Sequence, residues 1–502
     1  MSITISLNPS PSYLVDAANA PALRNVLLRL AHIGYDEKQI RESLGLVDLA
    51  DLRWRAIPIY RADHLAIRDP LASAIELFLL QGSIPPVELS QMFTKAHQEA
   101  LVRAGLLQID ETGVARAIAS LFPVGDRLVF SDHAWPLLPH PGYDSIPADQ
   151  VMSVGTDSRW LARATVRRSV GAALDLCTGS GIHALLAAVH SKRVVAVDLN
   201  PRAAQCTRFN SLASGTSNVE VLVGDLYEPV GDERFDLITA NPPFVPSPRD
   251  SLKFRDGGRS GEEVQRRIIA GLPQYLASGG MAHIVTEFGE RGDEPLSNRL
   301  REWLAGAPMD LFILRLREHT AANYAMGHAD GVGTSENFLN SVHEWAENLR
   351  AQGYTRMVSV LLTFQWSDAT SGPPWTRSDS PQSLHSMAGT EVAAVMAAER
   401  LTRLPNFQEL LAGSRVRRPG PIVVQETRVL GYKVPAHALA ELLGRALPIQ
   451  YKLDSIEQAI LTLIEKPIPF SELLVMAHGL KLDAEDVATA VRSLVRQGLL
   501  VL

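Results

Sequence analysis

Two cysteines, Cys177 and Cys206, are all that this chain of 502 residues carries. That scarcity excludes a disulfide framework and a cysteine-built metal centre, and it fits a reducing compartment. No H-E-x-x-H pair, no Cys/His cluster and no repeated acid spacing points to a metal. A phosphate-binding loop and a G-x-S-x-G elbow are missing too, which removes P-loop NTPases and the α/β-hydrolases from consideration. Positive charge is in short supply: 48 Lys and Arg against 55 Asp and Glu leave a formal net charge of -7, so no global field draws a polyanion. The two basic runs, Arg167-Arg168 and Arg415-Val416-Arg417-Arg418, have the length of ordinary solvated faces. No apolar stretch is long enough to span a bilayer, and the N-terminus lacks the charged start and apolar run of a signal peptide. The expectation is a cytoplasmic protein with no membrane partner.

What is present is an ordinary globular balance, 46% hydrophobic and 21% charged, in a chain long enough for two or three cores. From about residue 20 to 110 apolar residues recur at helical spacing, as in Leu23, Val26, Leu27 and Leu30. Two short apolar runs, Val114 to Phe122 and Arg127 to Phe130, joined by Pro123-Val124-Gly125-Asp126, then predict a hairpin. Helices closed by a hairpin suggest a winged-helix-like module over residues 1–140. Residues 141–368 alternate β-branched runs with helical stretches, the pattern of a parallel sheet covered on both faces. Seven strands are expected there: Ala172 to Cys177, Val194 to Asp198, Val219 to Val223, Phe235 to Ala240, Met281 to Glu287, Leu311 to Leu316 and Met357 to Trp366. The fold class is therefore α/β, with a seven-stranded Rossmann-like domain. Trp366 to Ser383, rich in Ser, Pro, Gly and Thr, is expected to be a linker that packs little. Beyond it, residues 384–502 form a third, mainly helical module. Its stretches AILTLIEKPIPFSELLVMA and SLVRQGLLVL echo AIELFLLQGSIPPVELSQM and ALVRAGLLQI near the N-terminus, so either one winged-helix-like module is duplicated around the sheet or two helix-turn-helix segments have converged.

The segment ALDLCTGSGIHA at 173–184 runs from an apolar strand through a glycine turn into an apolar helix. Gly179 and Gly181 let the backbone approach a ligand and take dihedrals that other residues resist. The same loop fits the G-x-G-x-x-A dinucleotide fingerprint, with Asp198 at the spacing of a ribose-binding acid, so a nicotinamide- or flavin-dependent oxidoreductase has to be weighed. Two features favour S-adenosylmethionine as the cofactor. Asp175 precedes the glycines, where a carboxylate can face the cationic amino-acid end of that molecule and would repel a pyrophosphate. Asp225 follows the third strand, where it can accept from an adenine amine. A cap or a solvated turn is the plain alternative for any one acid, but three acids stand at three successive strand ends.

Directly after Phe235 to Ala240 comes Asn241-Pro242-Pro243-Phe244. Asn-Pro-Pro-aromatic would arise by chance in fewer than ~1% of chains this size. Two prolines make a rigid strand exit, which leaves the asparagine and the aromatic unexplained. Chemistry explains them. An amide or aromatic amine is a weak nucleophile because its lone pair is delocalised. The Asn241 side-chain oxygen and the Pro242 carbonyl can each accept one hydrogen of an NH2 group and point the lone pair at a methyl donor, while Phe244 stacks on the planar group. No strong base is needed, since the nitrogen becomes more acidic once methylated.

Together DLCTGSG at 175–181, VDLN at 197–200, GDLYEP at 224–229 and NPPF at 241–244 resemble class I S-adenosylmethionine-dependent methyltransferases of the "methyltransferase small" and release-factor glutamine methyltransferase type. The resemblance implies a class I methyltransferase domain in the middle of the chain. It implies that Asp175, Thr178, Gly179 and Gly181 hold the methionine end of the cofactor, Asp198 the ribose and Asp225 the adenine amine. Asn241 would border both cofactor and acceptor, with Pro242 and Phe244 completing the catalytic set. Phe254-Arg255-Asp256-Gly257-Gly258 is similar to the stretch that follows the motif in these enzymes, and Val151 to Ser158 stands where they carry a segment over the cofactor. Cys177 replaces a glycine common at its position.

The acceptor stays open among a protein or peptide amide, a base amine of RNA or DNA that the charge disfavours, and a small molecule or natural product. A second copy of the chain, as a homodimer, is a further candidate partner. His319, Asn323, Tyr324 and His328 fall in a glycine-bearing region that suits either a substrate lid or an ordinary loop.

Overall fold

The computed structural model of the protein describes residues 11–14, 16–133, 146–249, 252–292, 294–329, 334–367, 372–427 and 437–502. The chain divides into two units, one of residues 1–162, 168–305 and 318–359, the other of residues 163–167, 306–317 and 360–502. Among the described residues no helix is long and apolar enough to cross a membrane.

In the first unit helix α1 (Ala20–His32) opens with a proline in its first turn and buries Leu23, Val26 and Leu30, one stripe at helical spacing. Behind it strand β1 (Ser83–Ile84) leads into α2 (Pro86–Met92) and α3 (Lys95–Arg103), and β2 (Leu107–Ile109) and β3 (Ala115–Ala117) complete an antiparallel sheet of order β1-β3-β2. The expected hairpin is present, with a shorter first strand than Val114 to Phe122. Asp110 turns the chain by accepting from the amides of Thr112 and Val114 at 2.9 and 3.0 Å, so β3 pairs back onto β2. The hairpin with the Gly125-Asp126 turn is β4 (Ser120–Val124) with β5 (Arg127–Ser131).

After α4 (Thr156–Ala164) come β6 (Val170–Leu176), α5 (Ile182–Ala188), β7 (Ser191–Asp198), α6 (Pro201–Ser214), β8 (Val219–Val223), β9 (Phe235–Ala240), α7 (Glu263–Tyr275) and β10 (Leu276–Glu290). Five of these strands pair in parallel in the order β10-β9-β6-β7-β8. Val194 to Val197 of β7 are all buried, as expected of a strand covered on both faces. The connections reverse direction beside β6, which opens a crevice at the carboxyl ends of the strands. The N-terminal module shares a core with this sheet's helices. The amide of Phe130 donates to Asn210 Oδ1 at 3.0 Å, Asn210 Nδ2 donates back to the Phe130 carbonyl at 2.8 Å, and the rings of Phe130 and Phe209 lie 5.9 Å apart. Strand β11 (Met309–Thr320), helices α8 (Ala321–His328) and α9 (Ser335–Ala351) and strand β12 (Arg356–Trp366) follow, so each of the seven segments expected as strands is a strand.

The second unit adds a strand that the sequence did not suggest. β13 (Thr376–Asp379) pairs in parallel with β11, from Leu311↔Thr376 to Leu314↔Asp379, within the stretch expected to be an unpacked linker. Trp375 just before it is only 3% exposed, so this polar-looking segment is anchored by one aromatic side chain. Helix α10 (Gly389–Arg403) buries Glu399, whose carboxylate takes Arg403 at 2.9 Å, Arg496 at 2.8 Å and Arg377 at 3.4 Å. Strands β14 (Arg415–Val416), β15 (Ile422–Thr427), β16 (His437–Leu442) and β17 (Tyr451–Leu453), helix α11 (Ser455–Leu463), strand β18 (Ile468–Pro469) and helices α12 (Phe470–Gly479) and α13 (Ala484–Arg496) complete the chain. The echo seen in the sequence has a structural counterpart within each module. β1 and β18 are both two-residue strands that run straight into a helix, and Gly105 and Gly498, which follow α3 and α13, share a φ of +70° and +73°.

Candidate active site

The loop after β6 is built around one carboxylate. Asp175 is 1% exposed; its Oδ2 accepts from the Thr178 hydroxyl at 2.6 Å and the Ala184 amide at 3.1 Å, and its Oδ1 from the Thr239 hydroxyl at 2.8 Å. The register Asp175↔Thr239 between β6 and β9 makes the last bond local. Burial pushes the Asp175 pKa up to about 7 even though all three donors favour the ionised form. The carboxylate thus ties the loop to the first turn of α5 and to the neighbouring strand.

The loop between these ties is forced into left-handed backbone. Cys177 has φ +55°, a conformation that a residue with a side chain takes only under strain. Burial pushes its thiol pKa up, which keeps it neutral. Gly181 has φ +84°, and a β-carbon there would lie 2.7 Å from Thr207 Cγ2 of α6, so glycine is needed for both conformation and close approach.

A cavity of about 400 Å³ opens at the carboxyl ends of β6 to β9. Thr178, Gly179, Asp198, Asp225 and Asn241 all line it, so five of the nine expected site residues converge on one wall. A β-carbon at Gly179 would meet no atom within 4 Å, which leaves open space at that point of the wall. Asp198 Oδ2 accepts from the Gly179 amide and Oδ1 from the Asn200 amide, both at 2.8 Å; burial raises its pKa and these two bonds oppose the shift. Asp225 Oδ2 accepts from Arg267 Nη2 of α7 at 2.8 Å, and Arg267 lines the cavity as well. The remaining four stand off the wall. Asp175 faces the hydroxyls and amide just described, rather than open cavity. Gly181 packs on α6, and Pro242 is buried. Phe244 is half-buried and packs with Val245, Tyr324 and Trp345.

The double-proline turn is clamped from one side. The amides of Phe244 and Val245 donate to the Arg255 carbonyl at 3.1 and 3.0 Å, and the Gly257 amide donates to the Val245 carbonyl at 3.0 Å. A β-carbon at Gly257 would come within 2.8 Å of the Pro243 oxygen, so the FRDGG stretch contains glycine where two backbones touch. On the other side Tyr324 of α8 is buried, donates to Glu287 Oε2 at 2.7 Å and stacks on His328 with ring centroids 4.0 Å apart. Tyr324 and His328 pack behind the turn beside Val245 and Trp345.

Two residues to which the motifs give no individual role reach the asparagine. Asn241 Nδ2 donates to Asp157 Oδ2 and to Ser158 Oγ, each at 3.0 Å. Both sit in the first turn of α4, at the end of the segment expected to lie over the cofactor. Burial raises the Asp157 pKa, with a smaller contribution in the same direction from Glu287 of β10. Lys253, Phe254 and Asn200 also line the cavity. Asn200 was legible only as the last letter of VDLN. Lys253 was not legible at all, because a single basic residue in a loop carries no pattern.

Residues 152–303 match the model of the methyltransferase small domain, and residues 32–117 match a domain of unknown function. A release factor glutamine methyltransferase of Geobacter sulfurreducens is 32% identical over 167 residues, which cover 30% of this chain and 57% of that protein. A ribosomal protein uL3 glutamine methyltransferase of Bradyrhizobium diazoefficiens is 36% identical, over 27% of this chain and 51% of its own length. A Methanocaldococcus jannaschii protein named as a protein N5-glutamine methyltransferase is 33% identical, over 26% of this chain and 67% of its own length. The chain thus spans about half to two thirds of the curated relatives it matches.

Proposed function

We propose, for a chain that belongs to the class I methyltransferases of the methyltransferase small and glutamine methyltransferase type, that it methylates a planar amide nitrogen of a protein or peptide. The observation that carries the reading is the convergence of Asn241 with Thr178, Gly179, Asp198 and Asp225 on one cavity. The family implies S-adenosylmethionine as methyl donor, and the residues present fit it. The cavity is of ligand size, the wall is open at Gly179, and acids stand at the ends of successive strands. When bound, this cofactor supplies an electrophilic methyl group on a sulfonium centre.

The chain's own residues do the rest. Each Asp198 oxygen already accepts one backbone N–H, and a carboxylate has room for further donors, which we assign to ribose hydroxyls. Asp225 is assigned to the adenine amine. Thr178, Gly179 and Gly181 shape the methionine end, with Asp175 acting through the loop that it ties down. Asn241 Oδ1 and the Pro242 carbonyl accept the two hydrogens of the acceptor NH2, which turns the nitrogen lone pair toward the methyl group. The part of Phe244 that packing leaves uncovered is assigned to the planar group. Rate then comes from in-line positioning and from dipoles aimed at the charge that develops on nitrogen. The same proposal takes residues 141–368 as a seven-stranded catalytic domain, with β13 as an addition. It takes 1–140 and 384–502 as winged-helix-like flanks and assigns the protein to the cytoplasm.

The test is Asn241→Ala, assayed by incorporation of labelled methyl into the protein fraction of a cell extract and by calorimetric titration with S-adenosylhomocysteine. Turnover should fall about a hundredfold or more while the affinity for S-adenosylhomocysteine stays within about threefold. Undiminished methylation by the variant would remove Asn241, and with it the proposal.

A further inference from the structure

An asparagine side chain has two faces of nearly equal size and opposite hydrogen-bonding sense. Turned one way, Asn241 offers an oxygen to the acceptor NH2. Turned the other way, it offers two N–H donors to a group that is itself a donor, and no productive complex forms. Something must decide between the two, and packing volume cannot.

Asp157 can, while Ser158 fills the second acceptor position without itself discriminating, since a hydroxyl both donates and accepts. Asn241 Nδ2 has two hydrogens and makes two bonds, to Asp157 Oδ2 and Ser158 Oγ, both at 3.0 Å, so its donor capacity is used up. An ionised carboxylate only accepts. With Asp157 ionised, the flipped amide would set Oδ1 against a carboxylate oxygen, two acceptors face to face. Ser158 is 6% exposed and lines the cavity together with Asn241. Both residues belong to the first turn of α4, a different element from the double-proline turn that carries Asn241. Glu287 of β10 completes the surroundings. It accepts from the hydroxyls of Tyr324 and Ser359, each at 2.7 Å, and places a second acid near Asp157, with His328 stacked beyond Tyr324.

We propose that Asp157 and Ser158 are positioning residues that lock the Asn241 amide with its oxygen toward the acceptor, and that the lock requires Asp157 to be ionised. This rests on the reading of Asn241 as the residue that holds the acceptor nitrogen. The raised pKa of Asp157 then gives the site an acid limb. As pH falls through that pKa the carboxyl gains a proton, can donate to Oδ1, and no longer discriminates between the two orientations.

The test combines a spectroscopic and a kinetic readout on the full chain. In protein labelled with nitrogen-15 asparagine, the Asn241 side-chain pair is assigned by its disappearance in Asn241→Ala. In the wild type this pair should be protected from hydrogen exchange and should titrate with Asp157. In Asp157→Asn the protection should be lost and the titration abolished. The initial rate of methyl transfer to extract protein should fall about 10- to 100-fold, the size expected for losing a charge-assisted hydrogen bond. The affinity for S-adenosylhomocysteine should hold within about twofold. Ser158→Ala should show a smaller loss of rate and of protection, and if Asp157→Asn does not fold the titration of the Asn241 pair in the wild type decides the matter. Wild-type rate and unprotected Asn241 resonances in the wild-type protein would overturn the lock. A normal rate in Asn241→Ala would instead overturn the underlying reading of the site, so the two failures are told apart.

Discussion

Asp175→Asn is the substitution whose outcome separates a structural acid from a cofactor-binding one. The wild-type carboxyl is 1% exposed with a pKa pushed up to about 7, against 3.8 for the unfolded chain. Between those values the folded protein holds a proton that the unfolded chain has released, so stability declines as pH rises through the window. At 1.36 kcal/mol per unit the full window of about 3 units is worth about 4 kcal/mol. Roughly 3 kcal/mol of it falls between about pH 5 and pH 8, because the unfolded carboxyl is already mostly ionised at the lower value. Asparagine stays neutral throughout. Its oxygen can accept from the Ala184 amide and the Thr178 hydroxyl, and its NH2 can donate to Thr239 after that hydroxyl turns. The variant should therefore match wild type near pH 5 and exceed it by up to about 3 kcal/mol near pH 8 in urea unfolding followed by tryptophan fluorescence. If Asp175 acts only by tying the loop, affinity for S-adenosylhomocysteine should change less than about threefold. A wild type whose stability is flat across this range, or a variant less stable than wild type near pH 8, would refute the reasoning. A large loss of affinity in a stable variant would return Asp175 to direct contact with the cofactor's ammonium.

Asp132 is buried and accepts from the Tyr13 hydroxyl at 2.7 Å, Arg202 Nη2 at 2.6 Å and the Val151 amide at 2.8 Å. Asp132→Ala removes the carboxylate from a part-buried Arg202 guanidinium, which keeps the Pro11 and Asp149 carbonyls as acceptors, and should cost about 2–3 kcal/mol in thermal unfolding; a loss below about 1 kcal/mol would mean that water replaces the carboxylate. Val151 lines the cavity, so the same variant should also weaken binding of S-adenosylhomocysteine, a change that calorimetry reads directly. Gly181→Ala meets both a φ of +84° and a β-carbon contact at 2.7 Å with Thr207 Cγ2. It should destabilise the protein by about 1–3 kcal/mol, and Gly181→Ala combined with Thr207→Ser should recover part of the loss in melting experiments. No recovery would assign the whole effect to the backbone.

The parallel sheet was legible because its strands are buried on both faces and read as unbroken apolar runs; Val194 to Val197 is an example. What escaped did so where composition and packing part company. β13 lies in a stretch of Ser, Pro and Thr, and its pairing with β11 depends on hydrogen bonds that any backbone can make, with Trp375 as the one apolar anchor. The first strand of the hairpin is shorter than its apolar run for a related reason. Val114 to Phe122 is one apolar run in sequence, but the Asp110 turn pulls its first half onto β2 and leaves only the second half for β5.

The site divides along the same line. Residues that act through backbone geometry were readable, since Gly179, Gly181 and the two prolines are chosen for dihedrals that the motif itself announces. Residues that act through a carboxylate were readable as acids but not as to what they face. Asp175, Asp198 and Asp225 each end a strand, yet in this structure Asp175 turns to two threonines and an amide, Asp198 to two amides on the cavity wall, and Asp225 to Arg267. Part of what an acid finds lies far off in the chain, as Thr239 does from Asp175 at 64 residues and Arg267 from Asp225 at 42. Asp157 extends the point. In the sequence it stands 84 residues ahead of Asn241 in a segment with no motif of its own, and only the packing of α4 brings its oxygen to 3.0 Å from the amide nitrogen. A motif therefore marks the residue that meets the substrate, while the groups that orient that residue come from elsewhere in the fold.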